Sequence, residues 1–226
     1  MSLESLKLRK KRAIEVIKIL RVSTKDMAPS LTHSIKNEFG HDPFLILISC
    51  LLSLRARDVV TLPVSRKLFE IAKTPQEIAN ISIKKLEKII YKIGFYKNKA
   101  KTLHSVCSEL IKKFNGTVPN SRKDLLSIKG VGRKTANLIL GEAFNFPAVC
   151  VDTHVHRVSN RLGLIKTKTV EETEKALEKL LPKKYWIEWN PLIVKWGQNI
   201  CVPISPKCSE CAIYNLCQRV GVKKHR

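Results

Sequence analysis

Acidic residues are in short supply in this 226-residue chain: 19 Asp and Glu stand against 42 Lys and Arg, a formal charge of +23. An imbalance of that size exceeds what surface solvation needs and points to a polyanionic partner, nucleic acid ahead of an anionic membrane surface. Long apolar spans are missing too. The longest apolar run, Phe44 to Leu54, is broken by serines and suits a buried helix. Met1 to Arg12 is charged from its start and lacks the apolar region of a secretory signal. Sustained strand alternation, long repeats, linkers and low-complexity tracts are also absent. The missing apolar span and signal predict no membrane partner; an intracellular protein of the cytoplasm or nucleoid is expected, with monomer as the default quaternary state. With 44% hydrophobic residues, the chain has enough apolar material for one large domain or two small ones.

A secreted disulfide framework is excluded by the cysteines. There are seven, an odd number, and four of them crowd the C-terminal end as Cys201, Cys208, Cys211 and Cys217. Cys50, Cys107 and Cys150 sit in apolar contexts and read as buried small hydrophobes. The compartment is then reducing. Four thiolates spaced C-x6-C-x2-C-x5-C can surround one soft metal centre. A zinc ribbon usually pairs two CxxC knuckles, and here there is one, Cys208 to Cys211. The residues alone leave zinc and an iron–sulfur cluster both open.

Apolar residues recur at three- and four-residue intervals, so the chain is predicted to be all-α. Helices are expected over 5–22, 31–38, 43–53, 57–71, 74–79, 83–90, 97–114, 122–127, 132–144, 153–162, 170–181 and 185–198. Pro, Gly and Asn breakers lie between them. Residues 222–226 are expected to form a frayed basic tail.

Two stretches carry chemistry. Leu125 to Leu140 reads LLSIKGVGRKTANLIL: a short helix, a turn through Lys129, Gly130, Val131 and Gly132, then a second helix. Paired glycines permit positive φ and close approach to a ligand. The amides of the new helix face outward at its positive dipole end, which suits a phosphate. Lys129, Arg133 and Lys134 add charge there. Lys134 lies in the first turn, where a cation opposes the dipole. It reads either as one more phosphate contact or as a working amine. A free lysine has a pKa of ~10.4; a value of ~7–8 suits an amine that attacks a sugar carbon to give a Schiff base. In the second stretch, FPAVCVDTHVHRVSNRL, Asp152 precedes a helical pattern. It reads as an N-cap, as a carboxylate stabilising a cationic sugar transition state, or as both. His154 and His156 are two apart, face different sides, and read as structural.

At these residues the chain resembles the endonuclease III family, the DNA glycosylase/lyases of the helix-hairpin-helix, Gly/Pro-Asp superfamily with an iron–sulfur cluster. The resemblance runs from about Leu31 to Cys217. It rests on LLS and ARD within 51–58, GFYKNKA at 94–100, LLSIKGVGRKTAN at 125–137, VDTHVHRVSNRLG at 151–163, and the four cysteines. It implies two helical lobes with a DNA-binding cleft between them. A six-helix barrel with the helix-hairpin-helix would span 35–146, and 1–34 with 147–226 would form the cluster domain. It implies a [4Fe-4S] cluster on Cys201, Cys208, Cys211 and Cys217. Lys134 would be the Schiff-base lysine, Asp152 the catalytic aspartate, and Gly130, Val131 and Gly132 the grip on backbone phosphate. The implied activity is removal of oxidised pyrimidines such as thymine glycol from double-stranded DNA, followed by β-elimination at the abasic site. Lys207, between the first two cysteines, can touch phosphate as well.

The chain departs from the family at Arg55, where relatives usually carry a glutamine that fills the gap left by the flipped base. Arg55 can wedge, bond to the orphaned partner base, or simply contact phosphate. Phe95 stands where relatives place an apolar residue near the lesion, or else it packs inside the barrel. Two other readings compete: a monofunctional mismatch glycosylase of the same fold, and a cluster-bearing DNA-binding protein without catalysis. Lys134 speaks against the first, and Lys134 with Asp152 against the second.

Overall fold

The computed structural model describes residues 5–226, and the regular elements among them are all helical. In chain order they are α1 (Leu6–Ser23), α2 (Leu31–Phe39), α3 (Pro43–Ser53), α4 (Asp58–Ile71), α5 (Pro75–Asn80), α6 (Ile83–Ile89), α7 (Tyr96–Phe114), α8 (Arg122–Ser127), α9 (Arg133–Glu142), α10 (Thr153–Arg161), α11 (Val170–Leu180) and α12 (Trp186–Asn199). Single 3₁₀ turns cover Lys183–Tyr185, Cys208–Glu210 and Tyr214–Leu216. Each predicted helix is present, with ends displaced by two residues at most. No helix among the described residues is long and apolar enough to cross a membrane.

The helix starts follow from capping chemistry. Ser30, Asp42, Ser82, Ser121, Asp152 and Thr169 each accept a bond from an amide in the first turn that follows. Thr74 and Glu77 form a reciprocal capping box on α5. Each such cap contributes about 1 kcal/mol.

The chain divides into two compact units, Ser30–Phe146 and a second that joins the N-terminal segment through Pro29 to Pro147–Arg226. In the first unit α3 is the axis. Its Ile46, Leu47, Ile48 and Leu52 have no exposed surface, and α2, α4, α7 and α9 pack around it. Apolar residues on every side make a helix that must be wrapped on every side. Cys50 and Cys107 are buried within this unit, as expected of small hydrophobes.

In the second unit the stripe Ala13, Val16, Ile17 and Leu20 of α1 packs with Val155 and Val158 of α10 and the fully buried Trp189 of α12. The Trp189 indole N–H donates to Ser159 Oγ at 3.2 Å. Full burial of each large side chain contributes roughly 1.5–3 kcal/mol. Arg12 binds the two ends of the unit by donating to the carbonyls of Leu162 (2.6 Å), Leu216 (2.8 Å) and Gly163 (3.1 Å). The predicted frayed tail is corrected here. Arg226 N donates to the Pro206 carbonyl and accepts at its own carbonyl from Ser209 N, both at 2.9 Å. Main-chain pairing holds that tail to the cysteine loop.

Candidate active-site residues and the cysteine cradle

In the unit Ser30–Phe146, the glycine hairpin lies between α8 and α9. Ile128 N donates to Leu125 O, and Val131 N donates to Ile128 O. Gly130 sits at φ +101°, and a Cβ there would lie 2.7 Å from Thr102 Cγ2 of α7. Both backbone angle and space therefore require glycine. Gly132 is different: it takes φ −89°, caps α9, and has nothing near its would-be Cβ. The sequence reading gave both glycines one role. The structure divides it into a close packing contact at Gly130 and open backbone at Gly132. Among the described residues the Gly130 and Gly132 amides have no intramolecular hydrogen-bond partner. Open amides beside a helix N-terminus are anion-binding groups.

Lys134 is the second residue of α9 and half-buried. Its charge is felt by Cys50 on α3: burial raises the Cys50 thiol pKa, and the Lys134 ammonium opposes that rise. The Lys134 amine thus belongs to the α3–α9 contact, with Thr135 Oγ1 3.8 Å from Cys50 Sγ.

Arg55 and Phe95 both adopt left-handed backbone, at φ +55° and +60°. Such geometry in non-glycine residues costs about 1 kcal/mol or more and collects at ligand sites. The two line one cavity of about 220 Å³ together with Asn98, Lys99 and Thr102 of α7. Phe95 is 63% exposed, so it does not pack inside the barrel. Sequence reasoning missed Lys99. Its amine is buried and donates to the Leu52 carbonyl at 2.8 Å, closing the last turn of α3 beside Arg55. The signal was available: positions 99, 103, 106 and 110 share the apolar face of α7.

In the second unit Asp152 caps α10, its Oδ1 accepting the Val155 amide at 2.8 Å. The same helix reaches the cysteine loop. Arg157 donates to the carbonyls of Cys201 and Gly197, and Arg161 donates to Cys201 Sγ at 3.5 Å and to the Val202 and Pro203 carbonyls. Burial lowers the Arg157 guanidinium pKa. Neither arginine was singled out from sequence. The two histidines are structural, His156 Nδ1 lying 2.7 Å from Thr173 Oγ1 and His154 Nδ1 3.2 Å from Arg157 Nη2. Lys207 lies 3.9 Å from Glu210.

Cys201, Cys208, Cys211 and Cys217 line one pocket with Arg161, Trp196 and Arg219 among its walls. Among the described residues, no three His, Cys, Asp or Glu side chains converge on a single ion. Burial raises the thiol pKa of Cys208, Cys211 and Cys217, and the neighbouring cysteines raise each of them further. Three thiols whose charge is disfavoured in this way, lining one pocket with Cys201, suit a cationic centre shared between them. The Trp196 indole N–H is buried without a well-formed hydrogen bond and lies beside Cys211, whose thiol pKa it lowers. A metal-bound thiolate is an acceptor suited to that donor. The Arg219 amide also donates to Cys217 Sγ at 3.4 Å. The pocket's residues fit an iron–sulfur group.

Residues 48–183 match the HhH-GPD superfamily of base excision DNA repair proteins. Endonuclease III of Thermotoga maritima is 48% identical over 81% of this chain and 86% of its own length. The structure of a trapped endonuclease III–DNA covalent intermediate, an estranged-adenine complex, aligns with a TM-score of 0.82 at 34% identity, covering 93% of this chain and 96% of the other. A thermostable thymine-DNA glycosylase aligns over 93% of this chain and 96% of its own, with a TM-score of 0.80 at 27% identity. A family match over more than half of the chain and a curated relative 48% identical over most of both lengths establish that the chain belongs to the endonuclease III family of the HhH-GPD superfamily, the DNA glycosylase/AP lyases of base excision repair.

Proposed function

We propose that this chain excises oxidised pyrimidines such as thymine glycol from duplex DNA, then cleaves the strand at the resulting abasic site. It works as a monomer inside the cell, in the cytoplasm or nucleoid. The observation that carries the reading is Lys134 in the first turn of α9, directly after a hairpin with open amides. Gly130 and Gly132 hold a backbone phosphate through their open main-chain N–H groups; the Val131 amide, expected to join them, is spent on the Ile128 carbonyl and closes the turn, and Lys129 and Arg133 add attraction. Flipping the damaged nucleotide out of the stack costs a few kcal/mol, least where pairing is already weakened. Arg55 and Phe95 border the cavity beside the last turn of α3; Arg55 fills the space the base vacates, and Phe95 intrudes near the lesion.

The neutral Lys134 amine attacks C1′ of the damaged nucleotide. The C1′–N bond breaks, the base leaves with its electron pair, and the amine forms a Schiff base with the opened sugar. Loss of a C2′ proton then expels the 3′ phosphate by β-elimination, and water hydrolyses the imine to free Lys134. Asp152 supplies a carboxylate that stabilises positive charge at the sugar and relays protons. Its cap bond at Oδ1 fixes the side chain for that task.

Iron–sulfur clusters are general in the family. Here we assign a [4Fe-4S] cluster to Cys201, Cys208, Cys211 and Cys217, one thiolate per iron. Bound there, such a cluster would supply a covalent staple for the loop carrying Lys207. Arg157 and Arg161 hold the Cys201 segment to α10, whose first turn Asp152 caps.

The test mixes the protein with a thymine glycol duplex and an abasic duplex in the presence of borohydride. Covalent adducts on both, absent in Lys134→Ala, are expected. An adduct on the abasic duplex alone overturns the base assignment and keeps the lyase. DNA binding with no adduct on either favours a monofunctional glycosylase or a DNA-binding protein without catalysis.

A further inference from the structure

One face of α7 meets the hairpin at two points. Thr102 and Val106 sit under Gly130, with Thr102 Cγ2 so close that no side chain fits between. One turn further on, Glu109 Oε1 accepts the Lys129 amide at 3.1 Å. The other oxygen, Oε2, is held by Lys113 Nζ at 2.7 Å, four residues along the same helix. Residues 102, 106 and 109 recur at helical spacing and so form a single ledge. Lys113 fixes the rotamer of Glu109, and Glu109 fixes the amide that opens the turn.

The charge of Glu109 makes this contact informative. A carboxylate beside a phosphate-binding turn repels the ligand, so electrostatics alone would disfavour it there. Its acid pKa is lowered, first by the Lys113 hydrogen bond and then by the Lys129 amide and the charges of Lys113 and Lys129. The carboxylate is therefore ionised at neutral pH and bonds to an N–H as a charged acceptor, the stronger kind of hydrogen bond. The main-chain bonds that shape the turn itself are those from Ile128 N to Leu125 O and from Val131 N to Ile128 O; Glu109 adds a tie from a different helix.

We infer that Glu109 is a positioning residue for the phosphate grip: it ties the Lys129 amide to α7, so that the open Gly130 and Gly132 amides stand at a fixed height above that helix. The inference rests on the proposed function in one respect, that the hairpin is where backbone phosphate binds. It adds a negatively charged residue that improves DNA binding by holding the backbone still.

The experiment compares wild type, Glu109→Gln and Glu109→Ala, each with its cluster intact. Amide hydrogen exchange at Lys129 is measured without DNA. Affinity for a duplex bearing a tetrahydrofuran abasic analogue is measured beside it. Glu109→Ala is expected to speed exchange at Lys129 and weaken binding about tenfold. Glu109→Gln keeps an acceptor oxygen and is expected to restore most of both, which removal of charge alone cannot do. Unchanged exchange in Glu109→Ala overturns the positioning role. Faster exchange with equal or tighter DNA binding overturns the link to the grip and leaves Glu109 as a plain repulsive charge. Wild-type protein that ignores the duplex while its exchange depends on Glu109 overturns the phosphate reading of the hairpin itself.

Discussion

The Lys99 amine donates to the Leu52 carbonyl at 2.8 Å with only 9% of the residue exposed. Burial pushes its pKa down from the usual lysine value to about 8. Between pH 8 and the unfolded value near 10.4, the unfolded chain binds the extra proton and the folded one does not. Stability therefore rises with pH across that window on account of Lys99, and its cost, up to about 3 kcal/mol, is felt in full below pH 8. Urea unfolding at pH 7.5, 8.5 and 9.5 should show Lys99→Met with a flatter pH slope than wild type. Parallel slopes would mean that Lys99 keeps an ordinary pKa.

Gly130→Ala meets two obstacles, the φ of +101° and the Thr102 methyl at 2.7 Å. It should cost about 1–3 kcal/mol of stability and a larger share of DNA affinity, because the hairpin must lift from α7. Gly132→Ala has neither obstacle within the protein. It should leave melting nearly unchanged and reduce affinity only through crowding of the phosphate. Chemical denaturation and anisotropy on the two variants separate the roles.

Asp152→Asn should stay within about 1 kcal/mol of wild-type stability, since Asn caps a helix as well as Asp does. Its glycosylase turnover should fall by orders of magnitude. Equal, small losses in both would make capping the residue's main task.

Cys211→Ser should remove the broad visible absorption of an iron–sulfur protein and lower the thermal midpoint by roughly 10 °C or more, because metal binding is folding energy in such a loop. Circular dichroism at 222 nm with absorbance near 400 nm follows both. Full colour in the variant would remove Cys211 from the ligand set.

Raising salt from 50 to 200 mM should weaken DNA binding by at least a hundredfold if several phosphates are neutralised. Salt-insensitive affinity would argue against an interface dominated by phosphate contacts.

The helices were legible because their start signals are chemical and local: Ser30, Asp42, Thr74 and Asp152 each bond an amide in the turn they begin. The hairpin was legible because glycine and cations mark it. What separated Gly130 from Gly132 was the neighbour Thr102, twenty-eight residues away in sequence, which no local pattern encodes. Glu109 was invisible for the same reason, being one acid among many lysines until the fold set it against Lys129. The tail at 222–226 was misjudged because its anchors are main-chain atoms of Pro206 and Ser209, which any sequence possesses.

The reach of Arg12 across the chain has a consequence in time. Its acceptors at Leu162 and Leu216 lie 150 and 204 residues downstream. At roughly 5–20 residues per second, α1 leaves the ribosome some 10–40 s before the last of them exists. The unit Ser30–Phe146 is complete long before that. The hairpin-bearing half can therefore fold on the nascent chain while Ala13, Val16, Ile17 and Leu20 of α1 still lack their partners on α10 and α12. During that interval α1 is the exposed element, and synthesis of the segment around Leu216 completes its anchorage.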